Sequence, residues 1–289
     1  MQKKLTAQGP KKRKSYTVTL PIDWVKKEKL DKIREVDLNI VGNKVIISPS
    51  REIQERIIIN ADNYKDSLRK VLPGLYRQGV NEVLIQLSDN SLLEKIQRLV
   101  NEMLIGYEIV EQQKGKILIK DITKESQEEF NSILRRIFLL ILQFESVLSQ
   151  SEIQTLQKNI TRLYNYCLRI LMKKGHAEFQ RTPIYYLIID QLEKITDEFI
   201  WILSLQKISK ERKTQLNEVF RLFRTAYELF YKFEIAKYNV NQDKTFLLKN
   251  KIKLEKNIDI AGMHIHNLSR LLNSLYGNIF IISIGKNSG

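Results

Sequence analysis

The 289-residue chain predicts a multi-domain α+β protein, with a small β-rich domain over residues 1–50, a small α+β segment over 51–122 and an all-helical region over 123–289. Three observations carry this division. Short Thr- and Val-rich runs between turn residues fill the first block, strand-like and amphipathic helical runs alternate in the second, and apolar residues recur at steps of three and four from Thr123 onward. Charge follows the same boundaries. Residues 1–50 hold 12 Lys and Arg against 5 Asp and Glu, residues 51–122 balance at 11 against 11, and residues 123–289 hold 25 against 17. The first block alone is both short and dense in charge, with six cations and no acid before Ser15, so nucleic-acid contact is expected there first.

In order, residues 3–49 read as a strand (3–7), the basic turn Pro10-Lys11-Lys12-Arg13-Lys14, a strand (16–20), a short helix (22–30) opened by Pro21, a strand (36–41), a Gly42-Asn43 turn and a strand (44–48). A scaffold of this kind presents a block of positive charge suited to phosphate. The same string has the composition of a nuclear-import signal or a plain solvated face. Its place inside a strand-turn-strand pattern argues against the import signal, which belongs in accessible tails. Trp24 is expected to anchor the core of this very small domain.

The order of these elements, with the phrase Ser15-x-x-Val18-Thr19-Leu20-Pro21-x-x-Trp24 and the later strands Val36-Asp37-Leu38-x-Ile40 and Val45-Ile46-Ile47-Ser48-Pro49, resembles the AbrB/MazE/SpoVT family of swapped-hairpin DNA-binding domains. The resemblance covers about fifty residues. It implies a homodimer or higher oligomer with interleaved strands, and double-stranded DNA laid against Lys3, Lys4, Lys11, Lys12, Arg13 and Lys14. Where family members often carry Gly-x-Ser in the turn, this chain has Gly9-Pro10 and then four consecutive cations. Electrostatic binding is therefore expected to outweigh shaped readout of bases.

The middle segment reads as a strand (56–60), a helix (62–78), a strand (80–87), a helix (89–104) capped by Asp89 or Ser91, and two strands (107–111 and 116–120) about a Lys114-Gly115 turn. No phosphate-cradling glycine pattern and no His-containing ligand set stands in it. Mechanical coupling or dimer contact is the role expected of it.

The helical region divides into about six helices at breaks near 149–151, 174–175, 206–210, 239–243 and 261–262. Its clearest stripes are Ile153, Leu156, Ile160, Leu163, Cys167 and Ile170, then Ile188, Leu192, Ile195, Phe199 and Ile202, then Ile265, Leu268, Leu272, Leu275, Ile279 and Ile282. Long helices with short connections pack as antiparallel bundles. Trp201, Phe220, Phe223 and Phe230 are expected in the core, and the single cysteine, Cys167, as a reduced core thiol.

Two phrases go beyond packing. Leu134-Arg135-Arg136-Ile137-Phe138-Leu139-Leu140-Ile141-Leu142 resembles the opening helix of the PhoU family, and Leu192-Glu193-Lys194-Ile195-Thr196-Asp197 resembles that family's Leu-Glu-Arg-Ile-Ala-Asp helix. Archaeal relatives combine an AbrB-like amino terminus, a small α+β middle and a PhoU-like pair of three-helix bundles in this order, so the resemblance spans the chain as an architecture. The PhoU family also carries paired acidic metal motifs, whose oxygen ligands at i and i+4 share one helical face. Glu193 and Asp197 keep one such pair and are the chain's metal candidates. The facing stretch, 157–164, and the corresponding run in the last helix, 268–273, lack the acids. A salt bridge or solvated face is expected of Glu193 and Asp197, facing Lys158, Thr161 or Arg162, and no cofactor is implied.

His264 and His266 stand two apart, which puts them on different faces of a helix, and His176 follows Lys174-Gly175 at a helix end and is expected at the surface. With no Ser/His/Asp order, nucleophile elbow or phosphate loop, the chain reads as a non-enzyme. No apolar run has the length of a membrane span and the amino terminus lacks a signal-peptide core, so a soluble, cytoplasmic protein is expected. The expected function is that of a dimeric transcriptional regulator whose PhoU-like part senses or relays a signal in phosphate uptake regulation. The alternative is an interaction protein that regulates a phosphate transporter or its sensor, with the basic domain serving mainly for dimerisation. An antidote to a toxin is a third reading, disfavoured by the long helical region.

Overall fold

The computed structural model describes residues 2–10, 14–41, 44–49, 56–88, 91–123, 127–147 and 149–284. The chain is mixed α+β and divides into two units, Met1–Ile53 and Gln54–Gly289. The expected boundary at 122/123 marks the change from strands to helices but falls inside the second unit.

In the first unit β1 (Thr6–Gln8) pairs antiparallel with β2 (Ser15–Thr17), and β3 (Val36–Val41) pairs antiparallel with β4 (Lys44–Pro49). Both β1 and β2 are shorter than expected and shifted from the predicted runs. Ser15 Oγ and Thr17 Oγ1 donate to the Gln8 and Thr6 carbonyls at 3.3 and 3.2 Å, so the short hairpin is closed by hydroxyls as well as backbone. The single helix expected over 22–30 is two pieces, α1 (Ile22–Lys27) and α2 (Leu30–Ile33). Lys29 between them takes a left-handed backbone, φ 55°, which ends the first helix in a run of charged residues with no apolar face to hold it. The expectation for Trp24 is corrected. It is half-buried, and Leu30 is the one buried residue among those of this unit whose side chains are described, because so few elements offer too little surface to enclose an indole.

The second unit begins with a four-stranded sheet of order β5-β6-β8-β7, built from β5 (Arg56–Asn60), β6 (Glu82–Gln86), β7 (Tyr107–Gln113) and β8 (Lys116–Asp121). The β5–β6 pair is parallel and the other two are antiparallel. Helix α3 (Leu68–Arg77) connects β5 to β6, and α4 (Ser91–Met103) connects β6 to β7. The helix expected from 62 starts only at Leu68. Asn60 Oδ1 accepts from the Asp62 amide, residues Ala61–Tyr64 form a 3-10 turn, and the Asp62 carboxylate accepts from the Ser88 amide and hydroxyl at 3.0 and 2.8 Å. Across the sheet, Glu82 lies between Arg56 and Lys120 on neighbouring strands, and hydrogen bonds from Lys120 and Arg56 hold its carboxyl below the ordinary value against the opposing effect of burial.

Six α-helices follow among the described residues: α5 (Gln127–Leu142), α6 (Gln150–Lys174), α7 (Thr182–Leu203), α8 (Lys210–Tyr231), α9 (Ile235–Lys253) and α10 (Ile260–Ser283). Helix α10 packs against α7, α8 and α9, while α6 packs against α5, α7 and also α3 and α4. The stripe residues of α7 and α10 are all buried, as is Cys167, and Phe199 stacks on Phe220 at 4.6 Å in the centre. The α5–α6 break is sharpened by a reciprocal cap, in which Ser149 Oγ accepts from the Glu152 amide and Glu152 accepts from the Ser149 amide.

Four expectations for this part are corrected. The break set at 239–243 lies inside α9, where Asn241 and Gln242 find partners in the Lys237 carbonyl and Asn273; the chain turns instead after Tyr231. The break set at 261–262 lies inside α10. Gly262 is there for a close approach, since a Cβ on it would meet Arg212 Nη2 at 2.7 Å, and Arg212 binds Glu255 and Asp259 across the α9–α10 connection. Trp201 is 63% exposed, its ring parallel to that of His264 with centroids 6.4 Å apart, rather than in the core. His176 is buried, its ring stacked on Tyr185 at 4.0 Å, because Gly175 at φ 71° turns the chain inward and Thr182 Oγ1 accepts the His176 amide.

Arg169 locks α6 to the sheet layer. It is fully buried, donates through Nη1 to the Tyr76 and Val80 carbonyls at 2.7 and 2.9 Å, and through Nη2 to Asn81 Oδ1 at 3.2 Å and Asp121 Oδ2 at 2.5 Å. The rings of Tyr76 and Tyr107 lie 4.7 and 5.2 Å from its guanidinium carbon. Burial alone would raise the Asp121 carboxyl; the Arg169 guanidinium and the Thr123 hydroxyl outweigh it and hold the group below its ordinary value.

Candidate nucleic-acid interface

Lys3, Lys4 and Lys14 are exposed and flank the β1–β2 hairpin, Lys3 and Lys4 before the first strand and Lys14 directly before the second. Lys11, Lys12 and Arg13 lie outside the described residues, as do Gly42, Asn43 and Asp89. Gly9 carries φ 102° where the chain leaves β1, a backbone turn that favours glycine. Apolar side chains of this unit are uncovered: Tyr16 on β2 is 64% exposed, and Leu38 and Ile40 on β3, in the other sheet, are 63% and 79% exposed. One small unit thus carries both a charged hairpin and uncovered apolar side chains.

Glu193 and Asp197 stand on α7 as the spacing predicts, but their surroundings differ from expectation. Lys158 turns to Glu102 on α4 at 3.1 Å, and Arg162 is exposed. The α6 side chain beside Glu193 is instead Tyr164, which accepts from Arg77 Nη1 at 3.4 Å. Neither acid forms an ion pair among the described residues, so the salt-bridge expectation is not met for Glu193, which is half-buried; Asp197 is exposed. Desolvation, with Asp197 and Asp190 on the same helix, pushes the Glu193 carboxyl up to about 7. Among the described residues no group of three or more His, Cys, Asp or Glu is arranged to hold a metal ion.

A carboxyl raised above its ordinary 4.5 holds its proton more tightly in the folded chain, so its ionisation opposes folding increasingly as pH rises from about 4.5 to about 7. Glu193→Gln is therefore expected to stabilise the protein by about 1–2 kcal/mol near pH 8, discounted for partial exposure, and to change little near pH 4. Denaturant titration at the two pH values checks this. An equal effect at both would contradict the assignment.

His264 Nδ1 donates to Glu198 Oε2 at 2.7 Å, and Asn267 Nδ2 donates to the other oxygen at 3.0 Å. His266 Nδ1 donates to the Lys249 carbonyl at 3.1 Å. The two histidines thus point to different neighbours, α7 and α9, as their spacing implies. Arg169 with Asp121 and Arg77 with Tyr164 were missed by sequence reasoning. The available signal for Arg169 was its setting, a lone charge inside the run Cys167-Leu168-Arg169-Ile170-Leu171. Compared with known proteins, the chain matches no family model, no curated protein and no solved structure, so its functional reading rests on its own residues.

Proposed function

We propose that the protein is a dimeric DNA-binding transcriptional regulator, in which the basic hairpin of residues 1–50 docks on duplex phosphates and the 54–289 unit senses or relays a signal, phosphate-related by resemblance. The observation that carries the reading is the pairing of exposed Lys3, Lys4 and Lys14 with exposed Tyr16, Leu38 and Ile40 in a unit that encloses almost nothing by itself. Uncovered apolar strands of this kind call for a second copy, and a second copy doubles the cationic surface offered to DNA. Light scattering of the full chain at micromolar concentration is expected to give a dimer or larger. A monomer whose first fifty or so residues remain folded would contradict it. Binding is tested by fluorescence anisotropy with duplex DNA from upstream of the protein's own coding sequence, and a shift at submicromolar protein is expected.

A second reading is favoured by α9. Val240 and Leu247, seven residues apart on that helix, are exposed, and so is Leu254, the residue that caps its end, at 82%. Such a stripe suits a protein partner, as the transporter- or sensor-regulating alternative requires. Absence of any DNA shift would favour it.

A further inference from the structure

Helices α3, α4 and α6 enclose a groove of about 530 Å³ within the second unit. One wall is a polar face of α6, on which Gln154, Gln157 and Thr161 follow the helical repeat; the floor is Leu99 and Met103 of α4. Cations stand around it: Arg69 from the first turn of α3, Arg98 from α4 and Lys158 from α6. A second hollow of about 400 Å³ shares Arg69, Arg98 and Leu99 with the first and adds Lys95. The two hollows are therefore joined at the arginines.

The charges decide what would fit. Across both hollows four cations, Arg69, Lys95, Arg98 and Lys158, face two carboxylates, Glu94 and Glu102. The surplus matches a dianion. Arg98 binds Glu94 one helical turn away and Lys158 binds Glu102, but all four side chains are well exposed, and exposed ion pairs of this kind contribute little. A ligand phosphate can displace them, since charge-assisted contacts from arginine to phosphate are stronger than exposed carboxylate pairs. Arg69 has no protein partner among the described residues. The volume, in turn, exceeds what a bare phosphate fills and lies in the range of small-molecule sites, about 300–1,000 Å³. Amide and hydroxyl groups on one wall and apolar side chains on the floor suit a ring or sugar.

We propose that this groove binds a nucleotide-sized phosphate monoester, its phosphoryl group held by Arg69 and Arg98 and its organic part laid between Leu99 and the Gln154–Gln157–Thr161 face. As an effector site it deepens the regulatory reading, yet its test involves no DNA, so either can fail alone. The full chain is titrated calorimetrically with adenosine 5′-monophosphate, glucose 6-phosphate and orthophosphate at one fixed salt concentration. At least one ester is expected to bind tenfold or more tightly than orthophosphate. The double variant Arg69→Glu, Arg98→Glu is expected to lose that binding at least tenfold, as is Thr161→Phe, which fills the groove without changing charge; both should melt with the parent because these side chains are not in the core. Changing Lys3, Lys4 and Lys14 to Ala should leave ester binding intact. Esters that bind no better than orthophosphate, ester affinity unchanged in both groove variants, or a loss that follows the amino-terminal lysines instead would each overturn the proposal.

Discussion

Replacing Arg169 with Met is expected to destabilise the 54–289 unit by about 3–5 kcal/mol, the cost of leaving one partner of a buried ion pair alone. The variant strips the Tyr76 and Val80 carbonyls of their shared donor and leaves the buried Asp121 carboxylate with Lys173 Nζ, 3.5 Å away, as its remaining cationic partner among the described residues. Against a total stability of about 5–15 kcal/mol for an ordinary domain, this is a large share. Urea denaturation monitored by helix content measures it. The double variant Arg169→Met, Asp121→Asn should recover part of the loss, because the stranded charge is gone. Acid should act in the same place. Asp121 has a carboxyl held below its unfolded value of 3.8, so its contribution is complete above that value and is lost as pH falls through the lower, folded value. An Arg169→Met loss below about 1 kcal/mol would mean that the sheet layer and α6 hold together by apolar packing alone.

How much of this was legible in the sequence depends on whether the signal was local. The stripes of α7 and α10 were, since Ile188 to Ile202 and Ile265 to Ile282 keep their spacing and are buried without exception among the residues named for them. The strands of the middle sheet were legible to within a residue or two, because alternation and the Lys114-Gly115 turn are short-range features. Backbone choices made by single residues were not. Nothing in Lys29 marks the left-handed turn that cuts the first helix, and Gly262 reads as a breaker until Arg212, fifty positions earlier, is seen against it. Long-range partners were equally hidden: Arg169 meets Asp121 across 48 positions, and His176 is buried by a stack on Tyr185 that helical spacing does not encode. For the candidate interface, the exposure of Lys3, Lys4 and Lys14 was legible, whereas the facing of Glu193 was not. It depends on the rotation of α6, which presents Tyr164 to α7 and Lys158 to α4.

The second large effect is on DNA. In the proposed dimer, replacing Arg13 and Lys14 with Ala removes two cations from each subunit, and each neutralised phosphate contributes a slope of about −0.9 in log affinity against log salt. The variant is expected to bind at least about tenfold more weakly at moderate salt, with a slope flatter by up to about 3.6 if all four side chains meet phosphates. The loss should be similar on the upstream duplex and on an unrelated one, because a run of four adjacent cations has little to fix the geometry of any one against a base edge. A loss confined to the upstream duplex would instead assign base reading to Arg13.

The most direct measurement is therefore the salt dependence of duplex binding by the parent and by the Arg13→Ala, Lys14→Ala variant, both confirmed as folded dimers. The account predicts a steep parent slope, a flatter variant slope and weaker binding to both duplexes. Unchanged affinity with an unchanged slope would contradict it, and would show that the basic turn is not the surface that meets DNA.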